Sequence, residues 1–200
     1  VLEFPIEIST PEYTSFKIGK SILTFKYRKN TTPYHFAFNI PSNKEKEALN
    51  WLKQRVTILK YGKLEIQDFD FWNAKAVYFY DADHNIVEFI ARKNLENESE
   101  KPFDETQLLE ISEIGLTVND IESVFNFLHN TCQLSVYSGS FGRFCAIGGE
   151  HGFFICVNKQ KKEWFPTNDK IFLADFKVSF QHLKRDFKLA FEGGNFNLLA

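Results

Sequence analysis

Much of the chain alternates apolar and polar residues with a period of two, the signature of half-buried strands. Tyr13 to Ile18 and Ile22 to Tyr27 flank Gly19, Lys20 and Ser21 and predict a β-hairpin. Residues 29–33 read as a turn, and residues 34–40 as a strand with Phe36, Phe38 and Ile40 on one face and His35, Ala37 and Asn39 on the other. The period then becomes helical. Ala48, Leu49, Leu52 and Val56 make an apolar stripe over 42–56, opened by Ser42 with Glu45 three residues on, a capping-box pattern. A strand near 57–61 and a loop through 67–70 lead to a second hairpin over 76–92. Asp81, Ala82, Asp83, His84 and Asn85 supply its turn, since Asn and Asp tolerate left-handed backbone angles. The unit over 34–92 is therefore β-α-β-β-β.

The pattern restarts after residues 94–102, a polar, acidic stretch ending in Pro102 that reads as a linker. Residues 111–118 predict a strand with Ile114, Leu116 and Val118 on one face and Glu113, Gly115 and Thr117 on the other. Its phase matches 34–40, so Glu113 takes the place of His35. An N-cap at Asn119 and Asp120 opens a helix through about residue 129, and a hairpin follows over 144–157. Residues 131–157 repeat 1–27, which makes Val1 to Ile6 the expected end of a helix running into a strand. On this reading a strand and a helix precede Val1, in line with the absence of Met from the chain. Residues 171–180 echo 34–40 and begin an abbreviated fourth copy.

Composition narrows the classes. A chain that is 44% hydrophobic and 25% charged can bury a core and stay soluble. A net charge of -2 gives no electrostatic reason to expect nucleic acid or an anionic membrane as partner. No apolar run approaches the ~20 residues of a membrane span. Three cysteines without metal-type spacing favour packed thiols and a cytoplasmic setting over a disulfide framework.

One residue breaks the apolar pattern. Val87, Phe89 and Ala91 share a face; Ile86, Glu88 and Ile90 share the other, so Glu88 stands between two isoleucines. An unpaired buried carboxylate is costly, and His35 is the candidate partner.

These modules resemble the vicinal oxygen chelate superfamily of glyoxalases, extradiol dioxygenases and bleomycin resistance proteins. Residues 35–40 resemble its His-led strand, 1–4 the end of its first helix, and 16–25 its mid-module hairpin. Residues 79–89 resemble its aromatic-x-Asp-Pro-Asp-Gly-Asn-x-x-Glu-aromatic signature, with Ala82 for the Pro and His84 for the Gly. The resemblance implies an α+β fold of paired β-α-β-β-β modules in cup-like mixed sheets with helices outside. It implies a paired-module domain over 1–97, a linker over 98–105 and a second, abbreviated domain over 106–200. By match, His35 and Glu88 are ligands of a divalent metal (Fe, Mn, Ni or Zn), Glu88 is also the catalytic group, and the third ligand lies on a strand before Val1. Imidazole plus carboxylate with open positions suits a Lewis acid that grips two neighbouring substrate oxygens.

Two functions follow. One is a metal-dependent lyase, isomerase or oxygenase on a small oxygen-rich substrate. The other is metal-free sequestration of a drug-like or aromatic molecule, as in bleomycin resistance proteins. A homodimer made by the C-terminal domain is a further expectation. An extradiol dioxygenase ranks lower, because residues 71–74 contain none of that group's catalytic His. Either Tyr78 and Tyr80 or Val77 and Phe79 line the cup, the tyrosines being the candidate substrate contacts. The second copy carries Ile155 where an acid would be needed, so it reads as metal-free despite Glu113. His84 reads as a turn residue and His129 as a partner of a helix end.

Overall fold

The computed structural model describes every residue except Val1, Glu3, Asn30, Lys161 and Lys162. The chain divides into two compact units, Val1–Ile114 with Glu150–Gly152, and Gly115–Gly149 with Phe153–Ala200. Both are mixed α+β, mostly strand, as the alternation predicts. Among the described residues no helix is long and apolar enough to cross a membrane.

The first unit opens with β1 (Ile6–Ser9), β2 (Tyr13–Ile18) and β3 (Ser21–Lys26), a three-stranded antiparallel sheet. Gly19, at φ +52°, turns β2 into β3. A Cβ there would collide with the backbone of Leu108 and Leu109, so only glycine fits. The helix end expected at residues 1–6 falls partly outside the described residues; strand begins at Ile6.

The 34–92 module follows as β4 (His35–Ile40), α1 (Glu45–Lys53), β5 (Ile58–Leu59), β6 (Gln67–Phe69), β7 (Ala74–Tyr80) and β8 (Ile86–Arg92). The expected loop at 67–70 is in part β6, which pairs with β7. The turn between β7 and β8 is built as its residues suggest. One Asp81 carboxylate oxygen accepts from the amides of Asp83 and Asn85, the other from the Asn85 side chain, and His84 takes φ +60°.

The predicted capping box at Ser42 does not form. Residue 44 occupies the N-cap position without a side-chain cap. The Ser42 amide instead donates to Asn97, and Lys44 Nζ binds Glu47 at 2.6 Å. These contacts delay the helix until Glu45.

In this unit the strands lie in the order β9-β4-β8-β7-β5, where β9 is Glu110–Val118. β4 runs parallel to β8 on one side and antiparallel to β9 on the other. Its neighbour is thus a strand from beyond residue 105. The expected linker at 98–105 is itself tied into this unit. The Ser99 amide donates to Asn43, the Phe103 amide donates to Glu47, and the Phe103 ring packs on Trp51 and Phe89.

One face of the sheet carries the core. Phe36, Phe38, Ile40, Val77, Phe79, Val87, Phe89 and Ala91 pack with Ala48, Leu49 and Leu52 of α1. Phe89 is fully buried and touches the rings of Phe38 and Phe79 edge-on.

The second unit holds the end of β9, then α2 (Ile121–Cys132), β10 (Val136–Ser140), β11 (Phe144–Gly149) and β12 (Gly152–Asn158). Asp120 caps α2 through the amides of Glu122 and Ser123. His129 Nδ1 meets the Leu134 carbonyl at 3.0 Å beyond the helix end. The unit closes with a three-stranded meander of β13 (Phe176–His182), β14 (Arg185–Glu192) and β15 (Asn195–Leu198). This is where the fourth copy was expected; it contains no helix among the described residues, and residues 171–175 are not strand.

Candidate metal centre

Period-two alternation puts the polar residues of β4, β7, β8 and β9 on the face away from α1. Strand register then sets them in rows. Tyr78 pairs with Glu88, Glu88 with Ala37, and Ala37 with Glu113, across β7, β8, β4 and β9. Ala37 is the hinge of the arrangement. Its small side chain leaves room between two carboxylates, and His35, two residues along the same strand face, fills that room.

His35 Nε2 lies 3.6 Å from Glu88 Oε2 and 3.7 Å from Glu113 Oε2. The three residues are 5%, 2% and 4% exposed. Their donor atoms lie within 4.8 Å of one another. His35 Nδ1 sits 3.1 Å from the Ile86 carbonyl oxygen, which can only accept, so Nδ1 carries a proton. In the neutral ring this leaves the Nε2 lone pair aimed at the carboxylates. That is the outer-shell arrangement that orients metal-binding imidazoles.

Burial pushes the Glu88 carboxyl well above its ordinary range, and the neighbouring Glu113 charge raises it further. Arg92 and a hydrogen bond from Tyr78 work in the opposite direction without prevailing. Burial likewise raises Tyr78 well above an ordinary phenol, with Glu88 and Glu113 adding to the effect. The Tyr78 ring stacks near His35 at a centroid distance of 6.3 Å.

Both residues predicted to meet, His35 and Glu88, do so on one face. Tyr78 reaches the cluster. Tyr80 packs at the hairpin turn on His84, at 5.4 Å between centroids, and is only partly buried. Glu113, on a strand that the sequence reading took as metal-free, joins them. The reason is the pairing of β4 with β9, which brings Glu113 level with Ala37.

Sequence reading missed Arg92. It is fully buried and forms an ion pair with Glu113 through Nη2, while its Nε donates to Asn39 Oδ1 at 3.1 Å. The Trp72 ring lies 5.4 Å from the guanidinium. The available signal was phase: Arg92 follows Glu88 and Ile90 on the same strand face, but reads as a strand-ending surface charge.

The donor set fits a divalent cation. With both carboxylates ionised, Glu88 and Glu113 face one guanidinium, and a bound cation would compensate the charge left over. An imidazole lone pair and two carboxylate oxygens are the donor types that bind Fe, Mn, Ni and Zn.

No family model matches the sequence, and no curated protein matches it either. Solved structures do. A Bacillus subtilis protein described as a "putative dioxygenase" superposes with a TM-score of 0.55 at 14% identity, over 78% of this chain and 56% of that one. Glyoxalase I from Zea mays superposes with a TM-score of 0.50 at 14% identity, over 94% of this chain and 78% of that one. The chain has the vicinal oxygen chelate fold. This confirms the fold expected from residues 35–40 and 79–89. The chain spans little more than half the length of the Bacillus subtilis protein, and identity at this level speaks for the fold alone.

Proposed function

We propose that His35, Glu88 and Glu113 hold a divalent metal and that the protein is a lyase, isomerase or oxygenase acting on a small oxygen-rich molecule. One observation carries the reading: an imidazole lone pair, preset by the Nδ1 contact to Ile86, and two buried carboxylates converge on one point. When bound, the metal would supply Lewis-acid polarisation of neighbouring substrate oxygens. The chain's own residues would do the rest. Glu88, whose carboxyl burial favours the protonated form, would take and return a proton. The Tyr78 hydroxyl, hydrogen-bonded to Glu88, orients that carboxyl. Elemental analysis of the purified full-length protein tests the reading. The expected result is one equivalent of metal, lost in both Glu88→Ala and Glu113→Ala. A metal-free protein, or content unchanged in these variants, would refute it.

The second reading is a metal-free small-molecule binder in which His35 Nε2 faces Glu88 and Glu113 directly as a structural cluster. On that reading His35 and Glu88 are structural, and the protein binds no stoichiometric metal. The distances of 3.6 and 3.7 Å weigh against it, because they exceed ordinary hydrogen bonds.

A further inference from the structure

We infer that Arg92, held by Asn39, is a positioning residue that restricts Glu113 to a single donor oxygen. The inference rests on the metal reading above. Glu113 has two oxygens with different surroundings. Oε1 is taken by the Arg92 guanidinium, and Oε2 faces His35 Nε2 at 3.7 Å. Without the guanidinium the carboxylate could rotate and offer both oxygens. With it, one edge is closed and the other is aimed.

Arg92 is itself over-determined. Its Nε binds Asn39 Oδ1, and every remaining polar atom of that amide is committed. Asn39 Nδ2 donates to Glu110 Oε1 at 3.0 Å and to the Glu150 carbonyl at 2.8 Å. Glu110 Oε1 in turn accepts from His151 Nδ1 at 2.6 Å, outside the buried face. The amide therefore has one orientation only, with its oxygen toward Arg92. A small residue makes the space for the long side chain. β4 lies between Arg92 on β8 and Glu113 on β9, and Ala37, its residue level with Glu113, leaves that path open. A lysine could supply the charge but not the planar fork that meets Glu113 and Asn39 together.

The test is titration of the chelator-stripped full-length protein with Co²⁺, followed by visible absorption and competition against a chelator. The proteins are wild type, Arg92→Met, Arg92→Lys and Asn39→Ala. The expected loss in affinity is about 10–100-fold for Arg92→Met, the usual cost of removing an outer-shell partner. The Co²⁺ absorption of Arg92→Met should also weaken and shift, since a second Glu113 oxygen raises the coordination number. Arg92→Lys should recover affinity in part but not the spectrum. Should Arg92→Met fail to fold, Asn39→Ala decides, because it keeps the ion pair while releasing the guanidinium, along with the Asn39 bonds to Glu110 and Glu150. It should shift the spectrum in the same sense by a smaller amount. Wild-type affinity and spectrum in the variants that fold would overturn the positioning role while leaving the metal centre intact. No Co²⁺ binding by the wild type would overturn the metal reading and this inference with it.

Discussion

The two faces of the sheet in the first unit share every strand and differ in almost everything else. Phe36 and Phe38 alternate with His35, Ala37 and Asn39; Val87 and Phe89 alternate with Glu88 and Arg92. One face buries aromatic rings under α1 and supplies stability. The other buries two acids, an imidazole and a guanidinium, where desolvation costs more than surface placement would. A polypeptide that only had to fold would fill both faces alike. The contrast sets the polar face apart from the core, and it can be probed by substitutions that should affect one face and spare the other.

The largest effect is expected on the apolar side. Phe89→Ala removes a ring held among Phe38, Phe79 and Trp51 and should destabilise by about 3–5 kcal/mol. Chemical denaturation would measure it, and metal content per folded molecule should not change. A loss under about 1 kcal/mol would mean that this face is not the principal core.

On the polar side, Glu113→Ala strands the Arg92 charge and should cost about 3–5 kcal/mol. The double variant Glu113→Leu/Arg92→Met, which removes both charges, should recover most of that loss. If the double variant is the less stable of the two, the ion pair itself stabilises the fold and the contrast between the faces is weaker than drawn here.

Acid–base behaviour gives the next effect. The folded Glu88 carboxyl holds its proton at a pH where the unfolded chain has already released it. Folding is therefore favoured at low pH, and stability falls as pH rises from the ordinary carboxyl range through the raised folded value. With chelator present, Tm should decline across that window. Glu88→Gln, which cannot ionise, should flatten the decline and be the more stable protein at its upper end. Divalent metal should flatten it too, since the metal favours the ionised carboxylate. Calorimetry across pH, with and without chelator, checks all three expectations.

The smallest effect belongs to the turn between β7 and β8, which serves both faces equally. His84 sits at φ +60°, where an L-residue is strained and glycine is not. His84→Gly should raise stability by less than about 1 kcal/mol, the gain being reduced by the greater freedom of glycine in the unfolded chain. Metal content should be unaffected. Loss of metal would move His84 from turn residue to site.

Period-two alternation placed His35 and Glu88 on the face away from α1, and the turn chemistry of Asp81 and Asn85 came out as read. These are local properties, fixed by backbone pleat and by side chains bonding their own main chain. The capping box failed at Ser42 because Asn97, far along the chain, competes for its amide. The linker reading of 98–105 met a similar difficulty: a polar stretch can still tie down its backbone and bury one ring, Phe103.

The chain by itself determined which residues share a face, because side-chain direction alternates with every residue of a strand. Only the tertiary structure decided which strands are neighbours. Pairing β4 with β9 brought Glu113 beside His35 and Glu88, and it gave Arg92 a buried carboxylate to bind. Register between distant strands depends on packing over the whole sheet, so neither partnership was encoded in any local stretch.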